Sequence, residues 1–236
     1  MKSPLLYILE VLFCSGLLLA FYRLLLVRKV SFRACRRYLV AAVFLSAVIP
    51  ALDIPLYPAR TVVYPLPLIA APPAENFVQT TGELPAAGPV VPSGWRRILR
   101  PVAVGGYLTA VFLSLGFLAV RMVGIRRLRR RSRLTDCGAY TLAEHPQIAT
   151  PFSFLRTVFL GGGYEGRRRM IVLCHEAGHV RHRHSAERIA VELVRSLFWF
   201  NPFVWIAGRW LQEVHEWEAD RDLLDAGYDL TEYRTV

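Results

Sequence analysis

The sequence predicts a mainly α-helical fold with polytopic membrane helices (three spans, with a fourth as an open alternative) and a cytoplasmic domain containing a short β-hairpin or edge strand. Three observations support this fold class. The chain has 236 residues, of which 54% are hydrophobic, yet it carries a formal net charge of +11. The positive charges are concentrated beside long apolar runs, and the second half combines helix-like patterns with one stretch of β-formers. A disordered protein is excluded, because so many large apolar side chains have to be buried.

Two short segments hold most of the excess positive charge. Residues 23–37 contain six Lys or Arg and residues 121–134 contain seven Arg, and neither segment contains an acid. Cytoplasmic loops of membrane proteins are enriched in Lys and Arg, so we expect both segments in the cytoplasm. Direct nucleic-acid binding is the weaker alternative, because a basic tract next to a span usually anchors the topology. The charges therefore predict a multi-pass protein of the cell inner (cytoplasmic) membrane, in contact with the lipid bilayer, with its N-terminus outside.

Residues 1–123 are predicted to form a membrane domain, because about 20 apolar residues cross the hydrocarbon core as a helix. The three predicted membrane helices cover about 4–26, 38–57 and 101–120. The second run is short and reaches full length only if Asp53 and the residues after it lie in the interface. Residues 53–100 contain nine prolines and are predicted to be an extracytoplasmic loop without a domain of its own. Four arginines in this loop oppose the charge rule, but they are outnumbered.

Residues 124–236 are predicted to form the cytoplasmic domain. Within it, residues 150–160 are rich in β-formers and precede three glycines, which is typical of a strand followed by a turn. An edge strand here could bind a peptide by strand addition, and a plain core strand is the alternative. The predicted substrate-binding residues are Phe152, Ser153 and Phe154. Residues 188–211 are apolar and contain three of the five tryptophans. This pattern predicts a membrane-associated helix or a hairpin that enters the bilayer from the cytoplasm, with buried core as the alternative.

The pentapeptide His175-Glu176-Ala177-Gly178-His179 is the sharpest functional signal. It lies in a predicted helix over residues 169–184, where positions i and i+4 lie one above the other. Both imidazoles can therefore reach one ion, as in a zinc-binding HExxH helix. Glu176 is one position further round, beside the open coordination position, where it can act as general base and then general acid. The alternative is an exposed polar helix face, since further basic residues and histidines follow directly.

A hydrolytic zinc site uses three protein ligands and a water, so we expect a third ligand from another helix. Residues 209–225 are predicted to form that helix. Glu213, Glu216 and Asp220 share one stripe of it at spacings of three and four, and Glu218 is turned about 200° from Glu216. Such a stripe of acids repels itself unless a cation lies against it. A solvated acidic face is the alternative, and spacing alone does not choose among the acids.

These motifs together resemble the membrane-bound antirepressor metallopeptidases of the BlaR/MecR type. Besides the HExxH pentapeptide, the resemblance rests on Trp199-Phe200-Asn201-Pro202-Phe203-Val204-Trp205 and on Glu213-Val214-His215-Glu216-Trp217-Glu218-Ala219-Asp220-Arg221. The E-x-x-A-D pattern in the latter also matches the wider gluzincin group, with its HtpX-like and CAAX-processing membrane proteases. The resemblance implies a zincin-like HExxH domain of gluzincin type. It implies His175, His179 and Glu216 as Zn²⁺ ligands, Glu176 as catalytic carboxylate, and Asp220 as a residue that orients a ligand histidine.

The resemblance further implies an integral-membrane zinc metalloendopeptidase that hydrolyses peptide bonds at the cytoplasmic face. Its role would be signal transduction by regulated proteolysis of itself or of a cytoplasmic transcriptional repressor. Two alternatives stay open: a housekeeping protease of the HtpX or CAAX type, and a non-catalytic signalling scaffold in which zinc joins two helices. The catalytic carboxylate argues against the scaffold, because a structural zinc site has no need of it.

The chain ends at Val236, soon after the third-ligand helix, whereas family members usually continue towards a sensor domain. We expect either a truncated form of a longer sensor or a partner that does the sensing. A homodimer is an open alternative for the oligomeric state.

Overall fold

A computed structural model describes residues 4–27, 29–52 and 93–228 of the chain. These residues are mainly helical and include one small β-sheet. The larger of two compact units comprises Met1–Leu52 together with Tyr107–Val236, and it contains all the side chains of the candidate site. The second unit is Asp53–Gly106.

Among the described residues, three helical segments are long and apolar enough to cross a membrane: Pro4–Leu26, Phe32–Ala51 and Ile98–Arg131. Helix α1 (Pro4–Phe21) continues into a π-helical turn over Tyr22–Leu26, and helix α2 (Phe32–Val48) continues into a 3-10 turn over Ile49–Ala51. Helix α3 covers Ser93–Arg131. The prediction of three membrane helices is confirmed at the level of length and composition, since about 20 apolar residues suffice to span the bilayer.

The ends of the second and third helices differ from the predicted bounds. Helix α2 begins at Phe32 instead of residue 38, because the Ser31 hydroxyl caps it by accepting a hydrogen bond from the Ala34 amide. Helix α3 takes in residues 93–100, which the prediction assigns to the loop, and it continues to Arg131. Hydropathy marks only the apolar part of a helix, whereas arginine favours helix formation almost as well as leucine. Most of the predicted loop lies outside the described residues, as does the predicted end of the second span at 53–57.

The sheet has four short strands: β1 (Arg133–Asp136), β2 (Thr141–Glu144), β3 (Phe152–Phe154) and β4 (Thr157–Leu160). Their order is β1-β2-β4-β3, with β2 and β4 parallel and the other two pairs antiparallel. The predicted strand over residues 150–160 is therefore a hairpin of β3 and β4, in which Leu155 adopts a positive φ of 52° at the turn. Strand β3 lies at the edge of the sheet, and no further strand pairs with it among the described residues.

In the part of the chain described up to residue 228, three helices follow the sheet: α4 (Gly166–Arg181), α5 (His184–Leu197) and α6 (Pro202–Asp225). The single helix predicted over residues 169–184 is wrong at its end, because Arg183 takes a left-handed conformation (φ 58°) and starts a new helix at His184. Residues 188–211 belong to two helices, since α5 ends at Leu197 and α6 begins at Pro202.

Asn201 fixes the start of α6 in two ways. Its side-chain oxygen accepts a hydrogen bond from the Phe203 amide at 2.9 Å, and proline fills the first helical position, a usual combination at a helix start. Its side-chain amide donates to the Ser15 hydroxyl of α1 at 3.0 Å, and Asn201 is fully buried. The N-P pair of the W-F-N-P-F run therefore ties α6 to a membrane helix.

Helix α6 lies at the centre of the larger unit and packs against α1, α2, α4 and α5. The core around it combines apolar side chains of the membrane helices with those of α5 and α6. Its most deeply buried members include Leu39, Val43, Val204, Ala207, Leu211 and Val214. Residues 188–211 thus contribute to the buried core, and contact of their exposed side chains with the bilayer stays a prediction.

Gly178 allows α4 and α6 to approach closely. A Cβ atom at this position would lie 3.5 Å from the Cα of Ala219 and 3.2 Å from a carboxylate oxygen of Asp222. Because no side chain separates the helices here, the backbone of α6 comes close to that of α4. This approach brings the acidic stripe of α6 to the histidines of α4.

Candidate metal centre

The two histidines of the pentapeptide and Glu216 place three donor atoms close together. The Nε2 atoms of His175 and His179 are 3.2 Å apart, as expected for residues one turn apart on α4. Glu216 Oε2, from α6, is 3.5 Å from Nε2 of His175 and 3.7 Å from Nε2 of His179. Three potential ligand atoms therefore surround one point between the two helices.

The spacing and the chemistry of these donors fit a zinc ion. At metal–ligand distances of about 2.0–2.1 Å, the ligand atoms of a tetrahedral zinc site are about 3.3 Å apart. The three observed separations are close to that value. Two imidazoles and one carboxylate form a His₂Glu set, which catalytic zinc sites use with the fourth position open. His175, His179 and Glu216 would hold the ion.

The charges around the cluster favour a cation. The two histidines, through hydrogen bonds and their charges, hold the pKa of Glu216 well below its usual range, so this carboxylate is ionised. Burial lowers the pKa of His175, but the carboxylates of Glu216, Glu176 and Asp220 outweigh burial and raise it. An imidazole that gains a proton more readily than usual lies in a negative environment. A metal ion would satisfy the same environment.

Glu176 lies beside the cluster and is buried, with 8% of its surface exposed. Burial raises the pKa of its carboxyl, although His179, His175 and a hydrogen bond with the Ser153 side chain partly oppose this. Ser153 belongs to the edge strand β3, so the sheet and α4 meet at this carboxylate. A carboxylate with a raised pKa exchanges protons more readily near neutral pH, which suits a general base.

Asp220 contacts the other nitrogen of His175. Its Oδ1 is 3.2 Å from His175 Nδ1, while Nε2 of the same ring faces Glu216. The negative charge of Asp220 at this distance is one of the influences that raise the pKa of His175. Glu213, the remaining acid of the predicted stripe, is exposed and has no contact with the cluster among the described residues.

A family model described as BlaR1 peptidase M56 matches residues 11–231. The chain belongs to the M56 peptidase family. The resemblance predicted from the motifs is thereby confirmed, and the chain is a membrane-associated metallopeptidase of a signalling family. No curated protein matches the chain.

A cavity of about 800 Å³ lies next to Glu176, His179 and Glu216. Its walls come from α3, β3, α5 and α6. Helix α3 contributes the apolar side chains of Phe117 and Leu118 to these walls. The lining beside the donor cluster is polar. The cavity therefore extends from the donor cluster to the apolar side chains of α3.

The three predicted substrate-binding residues all line this cavity. Phe152 also stacks on Phe159 of the neighbouring strand, with ring centroids 4.5 Å apart, and Phe154 packs against the same small core. The side chain between them, that of Ser153, points to the other face of the strand and bonds to Glu176. Phe152 and Phe154 thus contribute both to the core of the sheet and to the cavity wall, and Ser153 lies beside Glu176.

The sequence pattern does not predict a role for His184, whose ring contacts Nδ1 of His179. The two Nδ1 atoms are 2.7 Å apart, and His184 is buried with 3% of its surface exposed. Burial and the nearby His215 hold the pKa of His184 at about 2, so its ring is neutral. The turn at Arg183 directs this ring back to the pentapeptide. The only local signal in the sequence is its place five residues after His179.

Proposed function

We propose that the chain is an integral-membrane zinc metalloendopeptidase of gluzincin type. It acts at the cytoplasmic face of the inner membrane, in signal transduction by proteolysis of itself or of a transcriptional repressor. The observation that supports this most strongly is the meeting of His175 Nε2, His179 Nε2 and Glu216 Oε2 beside the buried carboxylate of Glu176. A site that only joins two helices has no use for this fourth group.

Zinc held by the three ligands would polarise the scissile carbonyl and lower the pKa of the attacking water. Glu176 performs the proton transfers. Its carboxylate takes a proton from the water as the carbon–oxygen bond forms, and it returns the proton to the leaving nitrogen as the carbon–nitrogen bond breaks. The hydroxyl of Ser153 lies beside this carboxylate and can donate a hydrogen bond to it.

The edge strand β3 supports binding of an extended peptide. Its register with β4, in which Ser153 is opposite Val158, leaves its other edge available for a further strand. A substrate added there would pair its backbone with β3 and pass Glu176, with which Ser153 already bonds. The adjoining cavity then receives the side chains of the substrate.

Elemental analysis of the purified full chain in detergent tests the metal centre. We expect about one zinc ion per chain in the wild type, and loss of most of it in His179→Ala, since a ligand is removed. His145→Ala is the matched control, because His145 lies outside the donor cluster. A chelator should stop hydrolysis of a peptide library, and added zinc should restore it. A wild-type protein without zinc and without hydrolysis would overturn the proposal.

Labelling of Cys137 tests the side of the membrane. This cysteine is exposed and lies just after β1, in the predicted cytoplasmic domain. We expect a membrane-impermeant maleimide to leave it unlabelled in intact cells and to label it after permeabilisation. The variant Cys137→Ser identifies the label that belongs to this position. Labelling of Cys137 in intact cells would place the domain outside and contradict the proposal.

A further inference from the structure

A row of buried polar side chains runs from His179 to the membrane helix α2. The Nδ1 atom of His184 lies 2.7 Å from the Nδ1 atom of His179. Nε2 of His184 is 3.1 Å from Oε2 of Glu218, on α6. The same oxygen accepts a hydrogen bond of 2.6 Å from Arg36, near the start of α2. Three hydrogen bonds thus join the metal centre to α2.

The protonation states along this row are consistent with metal binding. A neutral histidine that binds a metal through Nε2 carries its proton on Nδ1. His179 therefore donates to Nδ1 of His184, which must carry its own proton on Nε2 and donates it to Glu218. The Glu218 carboxylate is acceptor-only and also accepts from Arg36. From His179 through His184 to Glu218, each donor therefore faces an acceptor. In this arrangement His179 has the tautomer that a metal ligand requires.

Burial makes these contacts strong and their loss costly. His184, Glu218 and Arg36 are at most 8% exposed. The guanidinium of Arg36 also lies 3.2 Å from Glu187, whose carboxylate contacts His215 at 2.9 Å. One arginine of α2 therefore compensates two carboxylates, of which one belongs to α5 and the other to α6. In a medium of low dielectric constant, removal of such a partner leaves an uncompensated charge.

We propose that Arg36, Glu218 and His184 are positioning residues that hold the imidazole of His179 in its metal-binding orientation. The proposal rests on the proposed zinc function. At the other histidine of the pentapeptide, His175, the single carboxylate of Asp220 lies 3.2 Å from Nδ1. The residues that support His179 extend to Arg36 of α2. The position of a membrane helix therefore sets the geometry of a metal ligand.

The test measures zinc affinity of the full chain in detergent by competition with a chromophoric chelator. We expect Arg36→Met and Glu218→Gln to weaken zinc binding about tenfold, the lower end of the effect typical of groups that support a metal ligand. Arg33→Met is the matched control, because Arg33 is on the same helix but is 70% exposed and 3.8 Å from Glu218. It should stay within about twofold of the wild type.

A second measurement separates positioning from folding. The cobalt-substituted protein should show a shifted visible absorption spectrum in Arg36→Met and Glu218→Gln, since the spectrum reports ligand geometry, and an unchanged one in Arg33→Met. Melting temperatures of the metal-free variants identify any that fail to fold. Glu218→Gln keeps the shape of the side chain but removes the negative charge that binds Arg36 and strengthens the hydrogen bond from His184, so it decides the test if Arg36→Met does not fold. Wild-type affinity and spectrum in Glu218→Gln would overturn the positioning role, whereas a wild type that binds no zinc would overturn the proposed function itself.

Discussion

Glu176→Gln should lower kcat/KM for peptide hydrolysis by about 10²- to 10⁴-fold, the usual contribution of a general acid–base group, while zinc content stays that of the wild type. Glutamine has the shape of glutamate and still accepts a hydrogen bond from Ser153, but it cannot take a proton from water. None of the contacts between Glu216 and the two histidines involves this side chain. The measurement combines steady-state kinetics on a peptide substrate with elemental analysis of the same preparation.

Glu165→Gln serves as the control for this substitution. Glu165 precedes α4, is exposed, and makes no side-chain capping bond, so its charge can be removed without touching the site. We expect its kcat/KM to match that of the wild type. Hydrolysis by Glu176→Gln at the wild-type rate would exclude Glu176 as the proton-transfer group. Loss of zinc together with hydrolysis would instead assign this carboxylate a part in holding the metal.

The features that the sequence predicts well are those with a one-dimensional physical cause. A membrane helix must be apolar over the thickness of the bilayer, and the three spans are visible as apolar runs for that reason. The HExxH histidines face one point because of helical periodicity alone, without reference to the rest of the fold. The meeting of this helix with the acidic stripe of α6 follows from a resemblance to a family, since spacing alone leaves several acids open.

Features that depend on packing are absent from the prediction. Strand β1 is exposed at every residue, so it shows no alternation of apolar and polar positions. The corner between α4 and α5 requires a left-handed arginine, a conformation that the surrounding structure imposes and that no residue preference indicates. Because the corner is not visible in the sequence, neither is the return of His184 to the pentapeptide.

Arg36 is the clearest example of a residue whose contacts the sequence does not predict. In the sequence it is one of six positive charges in a segment whose basic character predicts only which side of the membrane it faces. Its partner Glu218 is 182 residues away and lies off the predicted acidic stripe. Only the packing of α2 against α6 brings the two together, and no local pattern encodes that contact.

Glu216→Ala is expected to weaken zinc binding by more than about 10²-fold, which exceeds the usual effect of removing a supporting group. The substitution reduces the protein ligands from three to two and leaves the Nε2 atoms of His175 and His179 without their shared carboxylate. Peptide hydrolysis should be lost with the metal. Chelator competition gives the affinity, and kinetics with excess zinc show whether added metal rescues the reaction.

Glu213 and Asp220 make this experiment selective among the acids of α6. Glu213→Ala should leave zinc affinity unchanged, because Glu213 is exposed one turn before Glu216. Asp220→Ala should have an intermediate effect of about tenfold, because Asp220 contacts Nδ1 of His175 and so orients the ring from the side opposite Nε2. A loss of zinc affinity that decreases in the order Glu216, Asp220, Glu213 would identify Glu216 as a ligand and Asp220 as an orienting residue. Glu213 would then have no part in metal binding. If Asp220→Ala costs more affinity than Glu216→Ala, the third ligand is Asp220, and Glu216 contributes only its charge.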